Sequence, residues 1–567
     1  MKKILSFLLA LLILASFLML FGCEIKKNND NNSNSTEATQ PTVSDTADDL
    51  ETGTQQPFEY VAPDVDNSEF SVTLANYVTF GAQRFINTYC FEDKYYVFIP
   101  ADFDMSDTML YFNIPKNYSI KIDGKSIQSG FMTFDFTQNK VYTLYVGLRG
   151  GTYSNYELVG IQSKAPTMYL DIDESLGTFE AMNTDLTKKT FAYGLCYMDS
   201  TNNAHDFISY FDIHGHGNST WKTERLDKPY NLRFKEDDTY TDGRKIGLMG
   251  MTPASKWNLI SDTGEVTKSK NRIALYIAEQ LEMDYVVELN YANLFINGEF
   301  IGIYQVTEKP VNVEDELGLT LAESDNMNGS WIFEFDNHSG QEHQFYVKNL
   351  KVTVKSTIDN CKYTALQKHL TSVNVAMLNK DGVNKSTGKS ISDYLDLESF
   401  AKLLLVRDFT MDYDTVVNYW AYYDHSDGKI HAGPVWDFNN SMGQTTKELY
   451  HQHDQLLVLS DTKGPGCWLV ELMKFKEFTD ILKEVYTKYS YVFDGQSQDS
   501  ALAVWESYYE YYKDVSNMHR ARWNQDTGTG SLNGFEIEST RLARYFAKCT
   551  YFLYNRSKHF GNLIMGL

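Results

Sequence analysis

The 567-residue sequence has little cysteine and a shortage of positive charge. Its six cysteines (Cys23, Cys90, Cys196, Cys361, Cys467 and Cys549) are widely spaced, with no C-x-x-C pair. That spacing excludes a zinc-binding cysteine pattern and offers no disulfide framework, so apart from Cys23 the expectation is mostly buried free thiols, with a Cys467–Cys549 pair as the alternative. Lysine and arginine number 51 against 75 acids, a net charge of -24. Phosphate backbones need a basic surface, so nucleic acid is excluded as a partner. The chain also lacks the G-x-x-x-x-G-K-[ST] spacing of a P-loop. Between Glu24 and Pro57 there is no aromatic residue at all. Such a polar stretch cannot bury a core, and residues 24–57 are expected to be a disordered tether.

Before the tether, Met1, Lys2 and Lys3 precede a run from Ile4 to Phe21 that is apolar except at Ser6 and Ser16. The pattern predicts a signal peptide over residues 1–23. Its end, "LFGC", resembles a bacterial lipobox, in which Cys23 is lipidated. The expectation is an extracytoplasmic protein, lipid-anchored to the bacterial cell membrane, with an uncleaved membrane anchor as the alternative.

Aromatic residues make up 14% of the sequence. From Phe58 to about residue 165, short runs such as "KYYVFIP" and "VYTLYVGL" alternate with turns, predicting a small antiparallel β-sandwich. Strands continue beyond Pro166 until "KSKNRIALYIAEQLEM", where Ile273, Ala274, Ile277, Ala278 and Leu281 recur at helical spacing. Two strands joined by Asn297-Gly298 predict a hairpin. The C-terminal half reads as mostly helical. The fold class is therefore α+β, with a two-lobed arrangement over residues 166–567.

Three stretches carry candidate chemistry. "HGHGNSTW" (His214 to Trp221), followed by Lys228, Arg233 and Lys235, suits either an anion-binding turn or an ordinary β-turn. His214 and His216 share a strand face but have no third ligand nearby, which leaves packing as their role. In "MDYDTVVNYW", Asp414 precedes Asn418, and Asp437 lies in "GPVWDFNNSMG". A hairpin centred on residues 426–428 would set Asp414 and Asp437 face to face. Two carboxylates and an amide suit Mg²⁺, which prefers oxygen ligands, and equally occur on surface hairpins without a metal. The aromatic neighbours Trp436 and Phe438 suggest a buried carboxylate that needs a cation.

"HGHGNSTW…KPYNLRF", "NRIALYIAEQL", "LFINGEFIGIYQVTEK" and "DYD…DGKIHAGPVWDF" together resemble the spore coat protein H family, the CotH kinase-like proteins, over roughly Pro166 to Leu567. The resemblance implies an atypical two-lobed protein-kinase-like fold that uses ATP with Mg²⁺ or Mn²⁺. It assigns Asp414 as the catalytic-loop acid and Asp437 as a metal ligand, with Asn418 as a possible second. Asn218, Ser219, Lys228 and Arg233 fall in the nucleotide-gripping region, and Glu308, near the connection between lobes, is assigned with them to nucleotide binding. Two departures stand out: Asn418 follows Asp414 by four residues instead of five, and Asn439 replaces an acid. The implied activity is phosphoryl transfer from ATP to Ser or Thr of cell-envelope or spore-coat proteins. The alternative is a catalytically inactive surface scaffold.

Overall fold

The computed structural model describes residues 61–567 except 78–82, 102, 186–188, 198–206, 218–220, 222–226, 262–264, 337–341, 413–417, 444–451, 461–466, 524–528, 533–534 and 539–540. The expected signal peptide, tether and Cys23 lie outside the described residues. Among the described residues the molecule is a mixed α+β protein with several sheets and 12 α-helices. No described helix is long and apolar enough to cross a membrane.

The first part is a sandwich of two sheets. One has the order β2-β1-β5-β8, from β1 (Ser71–Tyr77), β2 (Gln83–Asn87), β5 (Thr108–Asn113) and β8 (Gly130–Phe134). The other runs β3-β4-β10-β9-β6-β7, from β3 (Tyr89–Phe91), β4 (Lys94–Ile99), β6 (Tyr118–Ile122), β7 (Lys125–Ser126), β9 (Val141–Leu148) and β10 (Tyr153–Gln162). The sequence predicts antiparallel pairing throughout, and the structure corrects this at one place: β4 and β10 run parallel. They are far apart in sequence, so no turn signal marks their pairing.

The second part is a closed barrel, which the strand runs alone do not disclose. Its order is β11-β12-β13-β14-β15-β17-β16, from β11 (Thr167–Ile172), β12 (Lys189–Tyr197), β13 (Phe207–Gly215), β14 (Tyr230–Lys235), β15 (Lys256–Ile260), β16 (Leu289–Ile296) and β17 (Glu299–Glu308). A parallel pairing of β11 with β16 closes it. Inward positions such as Ile213, Leu232, Trp257, Leu259 and Val306 fill the interior, and the residues between them along each strand face outward. At the β16–β17 hairpin Asn297 and Gly298 both have positive φ, 49° and 80°, the conformation that the Asn-Gly pair favours.

The sandwich packs directly on this barrel. Phe98 meets Phe300 with ring centroids 4.8 Å apart, and the Asn87 amide donates to the Gly298 carbonyl at 2.9 Å. Phe295, Phe300 and Tyr169 of the barrel belong to the sandwich's own apolar cluster.

The third part has a five-stranded sheet, order β19-β20-β18-β21-β22, from β18 (Trp331–Phe335), β19 (Gln344–Val347), β20 (Leu350–Val354), β21 (Tyr419–Asp424) and β22 (Lys429–Ala432). Helices pack around it. Helix α1 (Phe179–Thr184) lies on the barrel, against β12 and β13, and the helices of the third part include α2 (Lys270–Gln280), α3 (Val313–Leu317), α4 (Thr364–Leu378), α5 (Ile391–Tyr394), α6 (Leu397–Thr410), α7 (Leu457–Ser460) and, at the C-terminus, Arg541–Met565. In α2 the predicted apolar stripe is fully buried, including Ile273, Ala274 and Ile277. That stripe joins the large core of the third part, so α2 connects barrel and helices. Cys467 and Cys549 are buried thiols not joined to each other, whereas Cys361 is half-buried and Cys90 is exposed, contrary to the expectation of burial.

Candidate functional site

The outer face of the barrel carries a row of charge that follows from strand register. Asp212 on β13 pairs with Arg233 on β14, and Arg233 pairs with Lys256 on β15. Trp257 pairs with Glu308, which places Lys309, just past β17, beside Lys256. Residues opposite one another in a ladder share a face, so Asp212, Arg233, Lys256 and Lys309 form one rung. The adjacent rung is His214, Asn231, Asn258 and Thr307. His216 hydrogen-bonds Asn231 at 3.3 Å between Nδ1 and Oδ1. Burial pushes His216 down to about 4 and lowers His214, so both are neutral at physiological pH.

The positive charge of this face therefore comes from Arg233, Lys256 and Lys309, with Lys235 paired to Asp212 at 3.4 Å, and Lys355 adds to it from the neighbouring sheet. Lys355 pairs with Glu334 at 2.7 Å and lies over Trp420 at 5.2 Å. Lys309 is the most perturbed of the group. Burial first, then the charges of Arg233 and Lys256, push its ammonium from the ordinary lysine value down to about 7.

Glu308 faces away from that row. Its carboxylate accepts from the Asn312 side chain at 3.0 Å and from the Glu288 amide at 3.3 Å, tying the end of β17 to the segment that leaves it. Burial raises its carboxyl above the usual range. Lys228 also sits apart from Arg233. Its ammonium donates to the Asn183 carbonyl on α1 and lies over Trp221 at 4.9 Å. Asn218 and Ser219 lie outside the described residues.

Asp437 is exposed, contrary to the expectation of a buried carboxylate. Only Phe438 enters the core, at 1% exposure, while Trp436 is half-buried. Asp437 has φ 66°, a left-handed conformation that is uncommon outside glycine and concentrates at functional positions. The first turn of α2 holds it there. Asn271 Oδ1 accepts from the Phe438 amide at 2.7 Å, and Lys270 Nζ donates to the Asn439 carbonyl at 2.9 Å. The Asn271 amide also donates to Gln305 Oε1 at 3.1 Å. Gln305 lies on the same face of β17 as Thr307 and Lys309, so this clamp attaches the Asp437 loop to the face that bears the cation row.

The hairpin expected to set Asp414 against Asp437 is present, but its ladder stops at Ala421 opposite Ala432. Pairing ends well before either acid, so cross-strand register does not bring them together. Asp414 lies outside the described residues, and Asn418 is the first described residue after it. Its carbonyl accepts from Arg407 Nη2 at 2.8 Å. Arg407 is 3% exposed and its guanidinium lies 5.6 Å from the Phe438 ring, so one buried cation joins the residue before β21 to the loop after β22.

Lys256, Lys309, Lys270 and Asn271 were not singled out by the sequence, nor were Lys355, Arg407 and Gln305. The first two acquire their place from register across four strands. Lys270 is a lysine at 1% exposure, which helical periodicity of apolar positions does not reveal.

A family model described as CotH kinase protein matches residues 213–520, more than half of the chain. The match contains the cation row, the α2 clamp, Asn418 and Asp437. No curated protein matches the chain.

Proposed function

Because the chain belongs to the CotH kinase protein family, whose description suggests a kinase-like function, we propose that it transfers the γ-phosphoryl group of ATP to Ser or Thr hydroxyls of cell-envelope or spore-coat proteins. The single observation that carries the reading is Asp437. It is an exposed carboxylate in a left-handed conformation, fixed from below by Asn271 and Lys270. A hard oxygen donor pre-set in this way fits Mg²⁺ or Mn²⁺, with the Asn418 amide as a second candidate ligand. When bound, the metal would neutralise charge on the phosphates. Arg233, Lys256, Lys309 and Lys355 suit the anionic part of the nucleotide, and they stand out in a chain of net charge -24. Asp414 is assigned the positioning of the substrate hydroxyl. Asn218, Ser219 and Lys228 retain a proposed nucleotide-gripping role, and the contacts of Glu308 favour a hinge role.

The proposed address is extracytoplasmic, through a lipid on Cys23. Substrates would then be envelope or coat proteins and not nucleic acid. Asn439 in place of an acid favours the second reading, an inactive binding platform. Incubation of the protein with γ-labelled ATP and Mn²⁺, followed by phosphopeptide mapping, separates the two. Phosphoserine or phosphothreonine is expected, and no transfer under any metal condition rejects the first reading.

Lys309 makes this reading pH-dependent. Its folded value of about 7 lies below that of the unfolded chain, near 10.5. Between those values the unfolded chain binds the extra proton, so native stability rises with pH there. Bound polyphosphate reverses the preference, because an anion favours the ammonium. Nucleotide binding at pH 8 should take up as much as one proton, and apparent affinity should fall by up to about tenfold per pH unit above 7. Calorimetry in buffers of different ionisation enthalpy measures the uptake, which should vanish in Lys309→Met.

A further inference from the structure

A second cluster of chemistry lies outside the constellation above, where three elements of the third part meet the end of α2. Asp284 follows α2, Asp396 is the N-cap of α6, and His431 is on β22. The His431 Nδ1 atom stands 3.4 Å from Asp284 Oδ2 and 3.3 Å from Asp396 Oδ2. All three ligand atoms lie within 4.8 Å of one another. Nδ1 is buried and makes no hydrogen bond, although two carboxylates face it.

Each of these side chains is oriented by an outer partner. His431 Nε2 meets Asp427 Oδ2 at 3.0 Å, which fixes the N–H on Nε2 and turns the Nδ1 lone pair toward Asp284 and Asp396. Tyr422 donates its hydroxyl to Asp284 Oδ2 at 3.0 Å, and its ring stacks on the imidazole at 4.9 Å. The Glu398 amide donates to Asp396 Oδ1 at 3.2 Å, leaving Oδ2 to face the site. Zinc bonds to nitrogen and oxygen are about 2.0–2.2 Å, and a tetrahedron of such bonds has edges of roughly 3.3–3.5 Å. The two measured Nδ1–oxygen separations match that edge.

We propose that Asp284, Asp396 and His431 form a binding site for a divalent transition metal, best suited to Zn²⁺, with water in the fourth position. Its role is structural. The ion ties the segment after α2, the start of α6 and β22 together, and so fixes α2, whose first turn clamps the Asp437 loop. The proposal is independent of the kinase reading.

The test uses the full chain, stripped of metal and equilibrated with Zn²⁺, with bound metal counted by mass spectrometry after gel filtration. One equivalent should remain on the wild type and on Asp437→Asn. Asp284→Asn and Asp396→Asn should weaken binding by at least about 100-fold. Asp284 is half-exposed, so its substitution leaves the fold intact and keeps the test decisive. Co²⁺ in place of Zn²⁺ should give the intense visible bands of a tetrahedral ion, absent in Asp284→Asn. No retained zinc, zinc retained equally by Asp284→Asn, or zinc lost only in Asp437→Asn would overturn the proposal.

Discussion

Asp437→Asn should lower the rate of phosphoryl transfer on the order of 10³-fold while leaving the melting temperature nearly unchanged. Three properties of the position make this substitution a clean one. The side chain is exposed, and surface changes of this kind alter stability by less than about 0.5 kcal/mol. Asparagine tolerates the left-handed conformation that Asp437 adopts at φ 66°, so the backbone keeps its path. The amide retains the shape and loses only the charge. Removing that charge removes the hard anionic ligand that the proposed chemistry requires, with little substitute nearby in the described clamp, where Lys270 and Asn271 both engage backbone atoms. Rate assays beside a thermal melt check the outcome. An unaltered rate would mean that Asp437 holds no catalytic metal.

Arg556→Met should destabilise the protein by roughly 3–5 kcal/mol, the largest stability effect expected from a single side chain here. Arg556 is 0% exposed and Asp408 is 2% exposed, and they pair at 3.0 Å between Nη2 and Oδ1. The guanidinium also donates to the carbonyls of His453 at 3.0 Å, Gln455 at 2.6 Å and Asp408 itself at 2.7 Å. Asp408 in turn accepts from the amides of Leu457 and Val458 at the start of α7, each at 2.9 Å. The pair therefore joins the C-terminal helix, α6 and α7. Taking away the cation leaves a carboxylate buried with only two neutral donors, and that unpaired charge accounts for the cost. Denaturant unfolding measures the loss. The double variant Asp408→Asn with Arg556→Met should recover part of it, because no buried charge is then left alone.

What the sequence discloses and what it hides divide along physical lines. Local signals are readable: the apolar stripe of α2, and the Asn297-Gly298 turn, need only neighbours within a few residues. Pairings between distant strands are not, which is why the β11–β16 closure and the parallel β4–β10 pair come only from the structure. The cation row is hidden for a related reason. In "VTEKP" the adjacent Glu308 and Lys309 point to opposite faces, and only the register with β15 shows that Lys309 is the one beside Lys256. The Asp437 bracket misleads in another way. Aromatic neighbours suggest burial of the acid between them, yet its left-handed backbone turns Phe438 into the core while the carboxylate stays in solvent. The polar clamp of buried Lys270 and half-buried Asn271 has no periodic signature at all.

The central claim is that the Asp437 loop and the cation row on the barrel serve one ligand, a metal-bound nucleotide. Titration calorimetry of ATP into the wild type, Asp437→Asn and Arg233→Gln, each with and without Mn²⁺, tests it most directly. The account predicts that Mn²⁺ tightens ATP binding to the wild type and to Arg233→Gln but not to Asp437→Asn, and that Arg233→Gln weakens binding whether or not metal is present. An affinity for ATP that ignores both substitutions, or no affinity in the wild type with Mn²⁺, would contradict it.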